Sequence, residues 1–318
     1  MQGITSRGQW PFSCGWCHHE LGQRSSIQYA GGAENLSFAA PCLSLILTGR
    51  MFLMIVTTRW QRVTYTALIS FAVFIWQFSL AGHAFGEEIT VAAASDLNYA
   101  IKEVIEEYQK ATGNHVKLSL GSSGNFYAQI QNGAPFDLYF SADIGYPKKL
   151  EEAGLIVPGS LYRYAVGRIV LWTSHTANRD VSRGLDVLRD PRIKKIAIAN
   201  PKHAPYGRAA VAAMQHFKVY DDAKDRLVLG ENISQAAQFI ESGACDVGVI
   251  ALSLALAPTM KAAGTYWEIP SDAHPPLEQG AAILKSSKQQ KTSQDFVEFM
   301  RGTHGQEIMS RYGFTLPN

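Results

Sequence analysis

Four short stretches of this chain carry hydrogen-bond donors where a strand would hand over to a helix. They are Ser95-Asp96, Gly121-Ser122-Ser123-Gly124, Asn200-Pro201-Lys202-His203-Ala204-Pro205-Tyr206-Gly207 and Gly230-Glu231-Asn232-Ile233-Ser234. The first N–H groups of a helix lack intrahelical acceptors and the dipole there favours negative charge, so each stretch suits a small anion. Ser95, Ser122 and Ser123 add hydroxyls, and Gly121 and Gly124 let the backbone approach a ligand closely. The same residues also serve as ordinary helix caps. Asp96 is the plainest N-cap among them, because its carboxylate would repel an anion. Taken one at a time, the stretches leave both readings open.

Other chemistries lack their residues. After residue 86 the chain has no G-x-x-x-x-G-K-[ST] phosphate loop, H-E-x-x-H metal helix or G-x-S-x-G nucleophile elbow. His203 and His216 have no partners at triad spacing, and Lys202 and Arg208 either draw anions inward or are solvated surface charge. Cys14-Gly15-Trp16-Cys17-His18-His19 is half of a zinc pattern with no second ligand pair at suitable spacing. No catalytic residue, cofactor or protein-held metal cation is therefore expected.

The elements that must position these stretches repeat one plan. Apolar runs at Glu88 to Ala94, Val116 to Leu120, Lys195 to Ala199 and Arg226 to Leu229 each reach one donor stretch, and an amphipathic helical pattern begins directly after it. Further strands are expected at Phe136 to Ser141, Arg168 to Thr173, Asp246 to Ala251 and Ala281 to Lys285, with a helix from Lys288 to Gly302. Alternation of this kind predicts an α/β fold with mostly parallel sheets flanked by helices. In such sheets the donor stretches sit at the carboxyl ends of strands, the usual ligand edge. Tyr162 to Ser174 reads as a crossing from one lobe to another. Lobe one is placed at about 87–164 plus 256–318 and lobe two at about 165–255. Two crossings make a hinge, and two donor stretches from each lobe would meet across one cleft.

Of the 318 residues, 47% are hydrophobic and 18% charged, with a formal net charge of +2. Such a balance fits a globular protein of about two domains and argues against a nucleic-acid binder. From Met51 or Met54 the chain reads as a signal peptide. Arg59 and Arg62 form its basic start, Ala67 to Leu80 its apolar run, and Gly82, Ala84 and Gly86 suit cleavage after Ala84 or Gly86. Ser70, Gln77 and Ser79 interrupt the run, which is short for a retained membrane span. Residues 1–50 read as a leader that is not translated or not ordered, 51–86 as the signal peptide, and the rest as an exported protein with Cys245 its lone cysteine. No cysteine follows the signal to accept a lipid.

Taken together, Ile89-Thr90-Val91-Ala92-Ala93-Ala94-Ser95-Asp96-Leu97, the Gly121–Gly124 stretch, Gly133-Ala134-Pro135-Phe136-Asp137-Leu138-Tyr139-Phe140-Ser141-Ala142-Asp143 and the Asn200–Gly207 stretch resemble the periplasmic molybdate-binding proteins of ABC transporters. The resemblance runs from about Glu88 to Arg311-Tyr312-Gly313-Phe314. It implies a two-lobed type II periplasmic binding fold with a two-strand hinge, which closes on molybdate or tungstate and delivers it to ABC permease subunits of the inner membrane. It further implies that Ser95 and Ser123 bind through hydroxyl and backbone, and Tyr206 and Ile233 through backbone N–H. Some members add a tyrosine hydroxyl after a later strand. Here that position is Ala251, so the resemblance implies that fewer bonds hold the anion or that Asp96 N–H or Ser122 substitutes. A monomeric periplasmic protein is expected. The alternatives are a binder of another small oxyanion or carboxylate, and an exported α/β enzyme acting on a phosphorylated small molecule. Mass spectrometry in the native host should find no peptide from residues 1–50, and finding one would overturn the leader assignment.

Overall fold

The computed structural model describes residues 86–316. The leader assigned to 1–50 and all but the last residue of the signal peptide lie outside the described residues. In chain order the elements are β1 Glu88–Ala94, α1 Asn98–Thr112, β2 His115–Gly121, α2 Ser123–Gln131, β3 Leu138–Ser141, α3 Gly145–Glu152, β4 Tyr162–Gly167 and β5 Ile169–Ser174. There follow β6 Ile196–Ala199, α4 Pro205–His216, β7 Leu227–Gly230, α5 Ile233–Glu241, β8 Val247–Ala251, β9 Gly264–Glu268, β10 Leu277–Ile283, α6 Gln290–Arg301 and α7 Thr303–Arg311. Among the described residues no helix is long and apolar enough to cross a membrane.

The strands form two five-stranded sheets, ordered β2-β1-β3-β10-β4 and β7-β6-β8-β5-β9. Each sheet is mixed. In the first, β1 runs parallel to β2 and β3 while β10 runs antiparallel to β3 and β4; in the second, β6 runs parallel to β7 and β8 while β5 runs antiparallel to β8 and β9. Four strands of each sheet run one way, as the mostly parallel expectation has it, and a single opposed strand, β10 in the first sheet and β5 in the second, makes each sheet mixed. Each opposed strand carries the chain into its lobe from the other, so its direction is set by the crossing rather than by a covering helix.

The chain crosses at Arg168, between β4 and β5, and returns between Glu268 and Leu277. The placement of residues 256–318 in the first lobe is corrected at its start, because β9 pairs with β5 and Met260 and Ile269 pack in the second core. Gly264-Thr265-Tyr266-Trp267-Glu268 is an edge strand exposed over much of its length, so it lacks the apolar run that marks the other strands. Arg168 fastens the crossing. Its Nε and Nη2 donate to Gly313 O at 3.1 and 3.0 Å, and its Nη1 meets Glu268 at 2.9 Å, so the outgoing strand is tied to the returning one.

Each lobe has its own core. On one face of the first sheet, Ala100, Ile101, Val104, Ile105 and Tyr108 of α1 fall at helical spacing and meet Phe296, Val297 and Met300 of α6 and Ile308 and Met309 of α7. Gly113 ends α1 in the left-handed conformation at φ 75°, its N–H bonded to Gln109 O. On the other face Phe126, Ile130 and Leu150 of α2 and α3 cover Tyr139. Phe296 is wholly buried and stands edge-on to Tyr108 at 5.1 Å and to Phe140 at 6.1 Å. Phe296→Ala should therefore destabilise the protein by about 3–5 kcal/mol, measured as a lower denaturant midpoint in urea unfolding.

Candidate anion-binding cleft

Every donor stretch follows a strand end, buried in β1, β6 and β7 and half-buried in β2. β1 delivers Ser95, β2 delivers Ser122 and Ser123, β6 leads into the turn before Tyr206, and β7 leads into the turn before Ile233. Because both sheets present their carboxyl ends to the same cleft, Ser95, Asp96, Ser122, Ser123, Tyr206 and Ile233 line one small cavity, with Ala94, Gly121, Ala142, Ala204 and Pro205 between them. The sequence-derived residues are thus brought together. No lysine, arginine or histidine is among the lining residues.

The helix starts differ in how they are capped. Ser122 occupies the N-cap position of α2 without capping it, and its Oγ instead lies 2.8 Å from His203 Nδ1 of the other lobe. α4 follows Ala204, which has no side-chain acceptor, and starts at Pro205, which has no N–H, so Tyr206 carries its first donor. Asn232 caps α5 at Gln235 N–H, leaving the Ile233 N–H outside that cap. Ser123 Oγ accepts from Ala142 N–H at 2.9 Å and so keeps its own hydrogen to donate. Ser95 Oγ donates to Asn232 Oδ1 at 3.1 Å, a bond its hydroxyl can leave by rotation. Ala251 ends β8 fully buried and offers only a methyl group.

Asp96 departs from its expected role as an N-cap. The helical turn Ser95–Leu97 has no side-chain cap, and neither has α1. Its Oδ2 accepts from Gln279 Nε2 at 2.7 Å and from the Tyr206 hydroxyl at 3.1 Å, while Oδ1 is buried without a partner. Burial pushes the Asp96 carboxyl up to about 7, against the lowering pull of those two hydrogen bonds. Burial also raises the Tyr206 hydroxyl well above the usual phenol range, with the Asp96 charge adding to it.

The two lobes meet across the cavity. Gly124 N–H donates to His203 O at 2.9 Å, an approach open only to glycine because a Cβ would stand 2.7 Å from that carbonyl. Ser234 Oγ donates to Ser95 O at 2.8 Å and Ser253 Oγ to Asp96 O at 2.7 Å. At the rim Arg208 pairs with Asp143 at 2.6 Å, so this residue bridges the lobes instead of facing the cavity. His203, without partners at triad spacing in the sequence, has Ser122 on one side of its ring and Glu231, at 3.6 Å, on the other. Gln279 and Ser253 went unread. Ser253 is the lone polar residue of the apolar run Leu252–Ala255, and that isolation is the signal that marks it, whereas Gln279 follows Glu278 on β10 and carries no such mark.

A cleft between two hinged α/β lobes, ringed by neutral donors at helix starts, defines a solute-capturing protein. Residues 89–315 match the bacterial extracellular solute-binding protein family, and the chain belongs to it. It is 38% identical over 237 residues to the molybdate-binding protein ModA of Azotobacter vinelandii, covering 74% of this chain and 93% of that relative. It is 37% identical over 235 residues to ModA of Rhodobacter capsulatus, covering 74% and 91%. The solved periplasmic molybdate-binding protein of A. vinelandii superimposes with a TM-score of 0.68 at 35% identity, over 72% of this chain and all of that one.

Asp96 gives the cleft a pH dependence with a definite sign. A carboxyl wetted by parting of the lobes would return toward its ordinary 3.8, whereas with the lobes together, as here, burial holds it at about 7. Between those values the closed form holds the extra proton, so closure is favoured in acid and loses that advantage as pH rises from about 4 to about 7. Small-angle X-ray scattering should show the closed fraction falling over this window, and Asp96→Asn should flatten the response.

Proposed function

We propose that this protein is the periplasmic receptor of an ABC importer for molybdate, closing its lobes on the anion and presenting it to permease subunits in the inner membrane. The observation that carries the reading is the convergence of Ser95, Ser123, Tyr206 and Ile233, from two strand-to-helix units of each lobe, on a single cavity. The names of its relatives support molybdate as the anion. A dianion leaving water must be met by several charge-assisted hydrogen bonds, each stronger than a neutral one. Donors fixed at helix starts lose little entropy in making them. A rigid shell also selects by size: molybdate and tungstate span it, whereas the smaller sulfate leaves donors unpaired. Asp96 N–H or Ser122 stands in for the donor that Ala251 lacks.

In this reading residues 51–86 export the protein to the periplasm, where it acts as a monomer without a cofactor and carries out no reaction of its own. Calorimetry on the purified protein should give submicromolar affinity for molybdate and far weaker binding of sulfate and phosphate. Equal affinity for sulfate would reject the assignment. Ser95→Ala and Ser123→Ala should each weaken molybdate binding by about 1–3 kcal/mol, through loss of a charge-assisted bond. Unchanged affinity in both variants would place the site elsewhere.

A further inference from the structure

Tyr206 enters the proposed function through its backbone N–H, yet its side chain is buried and hydrogen-bonded to the other lobe. The ring leaves α4, crosses to the first lobe and seats its hydroxyl where it donates to Asp96 Oδ2 at 3.1 Å and accepts from Gln279 Nε2 at 2.9 Å. Gln279 Nε2 also donates to the same Asp96 oxygen at 2.7 Å, which closes a triangle of three polar groups. The remaining wall is Gly167, the last residue of β4, where a Cβ would lie 2.2 Å from the Tyr206 oxygen and 2.7 Å from Gln279 Nε2. The β10–β4 register shifts between Gln279 and Gly280, and an irregularity of this kind re-aims a strand side chain.

This slot is dry. Tyr206 is 2% exposed, Asp96 1% and Gln279 0%, whereas the side chains of the rim pair Arg208 and Asp143 are 41% and 38% exposed. A hydrogen bond to a carboxyl is stronger in such a place than at a wet rim, and it exists only when the lobes are together. An interaction available to one conformation alone shifts the population toward that conformation.

We infer that the Tyr206 side chain is a positioning latch whose hydroxyl, seated among Asp96, Gln279 and Gly167, holds the second lobe shut over the anion and sets how slowly the anion leaves. The inference rests on the molybdate reading above and assigns to the side chain a role separate from that of the Tyr206 backbone donor. Phenylalanine would keep the ring and the N–H but leave Asp96 Oδ2 with one donor. Gly167 is not among the glycines with positive φ, so its backbone accepts alanine and the crowding of the hydroxyl is what an added methyl would test.

Stopped-flow and calorimetric titration of the purified protein with molybdate separates the two roles. Tyr206→Phe should keep one site per chain and the wild-type association rate while speeding dissociation about tenfold, the effect of one lost hydrogen bond to a carboxyl. Gly167→Ala should speed dissociation at least as much, and should add less in the Tyr206→Phe background because the hydroxyl it crowds is gone. Dissociation unchanged in Tyr206→Phe, or an equal loss in the association rate, would overturn the latch. A wild-type protein indifferent to molybdate would instead overturn the proposed function. The latch would then be decided by scattering from the ligand-free protein, in which Tyr206→Phe must still lower the closed fraction.

Discussion

Holding an oxyanion without a cation requires many weak donors in fixed places, and that requirement shapes the molecule. One helix start offers a partial charge and a few N–H groups, too little to replace a hydration shell. Several such starts aimed at one point offer enough, but a single sheet cannot aim them at one point from opposite sides. Two sheets can, provided that each presents its carboxyl edge to the other. The repeated strand-to-helix unit, the two similar sheets and the cleft between them follow from that geometry.

Facing sheets must also part to admit a ligand, and the strands that join the lobes are placed for that. β4 and β5 are separated by the single residue Arg168, and β9 leads back to β10, so the lobes are joined through strands that belong to their own sheets. A joint built from sheet edges bends at a few backbone positions and leaves the cores intact. Arg168 narrows those positions further by binding Gly313 O and Glu268 at once.

The parts of this arrangement that depend on local chemistry were legible in the sequence. Apolar runs broken by Ser-Asp, Gly-Ser-Ser-Gly, Pro-Tyr-Gly or Gly-Glu-Asn mark strand ends and helix starts whatever the rest of the chain does, and they located the four donor stretches, within which the family resemblance singled out Ser95, Ser123, Tyr206 and Ile233. What depended on residues distant in the chain was hidden. Asp96 read as a cap because its local neighbours are those of a cap, whereas Gln279 and Tyr206, 183 and 110 residues away, make it a buried acceptor. β9 was missed because an edge strand buries little, and the single opposed strand of each sheet because strand direction is fixed by where the chain must go next. His203 illustrates the same limit: its neighbours Ser122 and Glu231 lie on opposite lobes and share no spacing in the sequence.

The lining of the cavity has a consequence for where such a protein can work. Its donors are dipoles of the backbone and of hydroxyls, and at the rim Arg208 stands paired with Asp143. The cleft therefore projects little field beyond a few ångströms, and dissolved salt has little to screen. An exported protein lives in whatever ionic strength its surroundings impose. A receptor that finds its anion by contact rather than by long-range attraction works alike in dilute and in saline water.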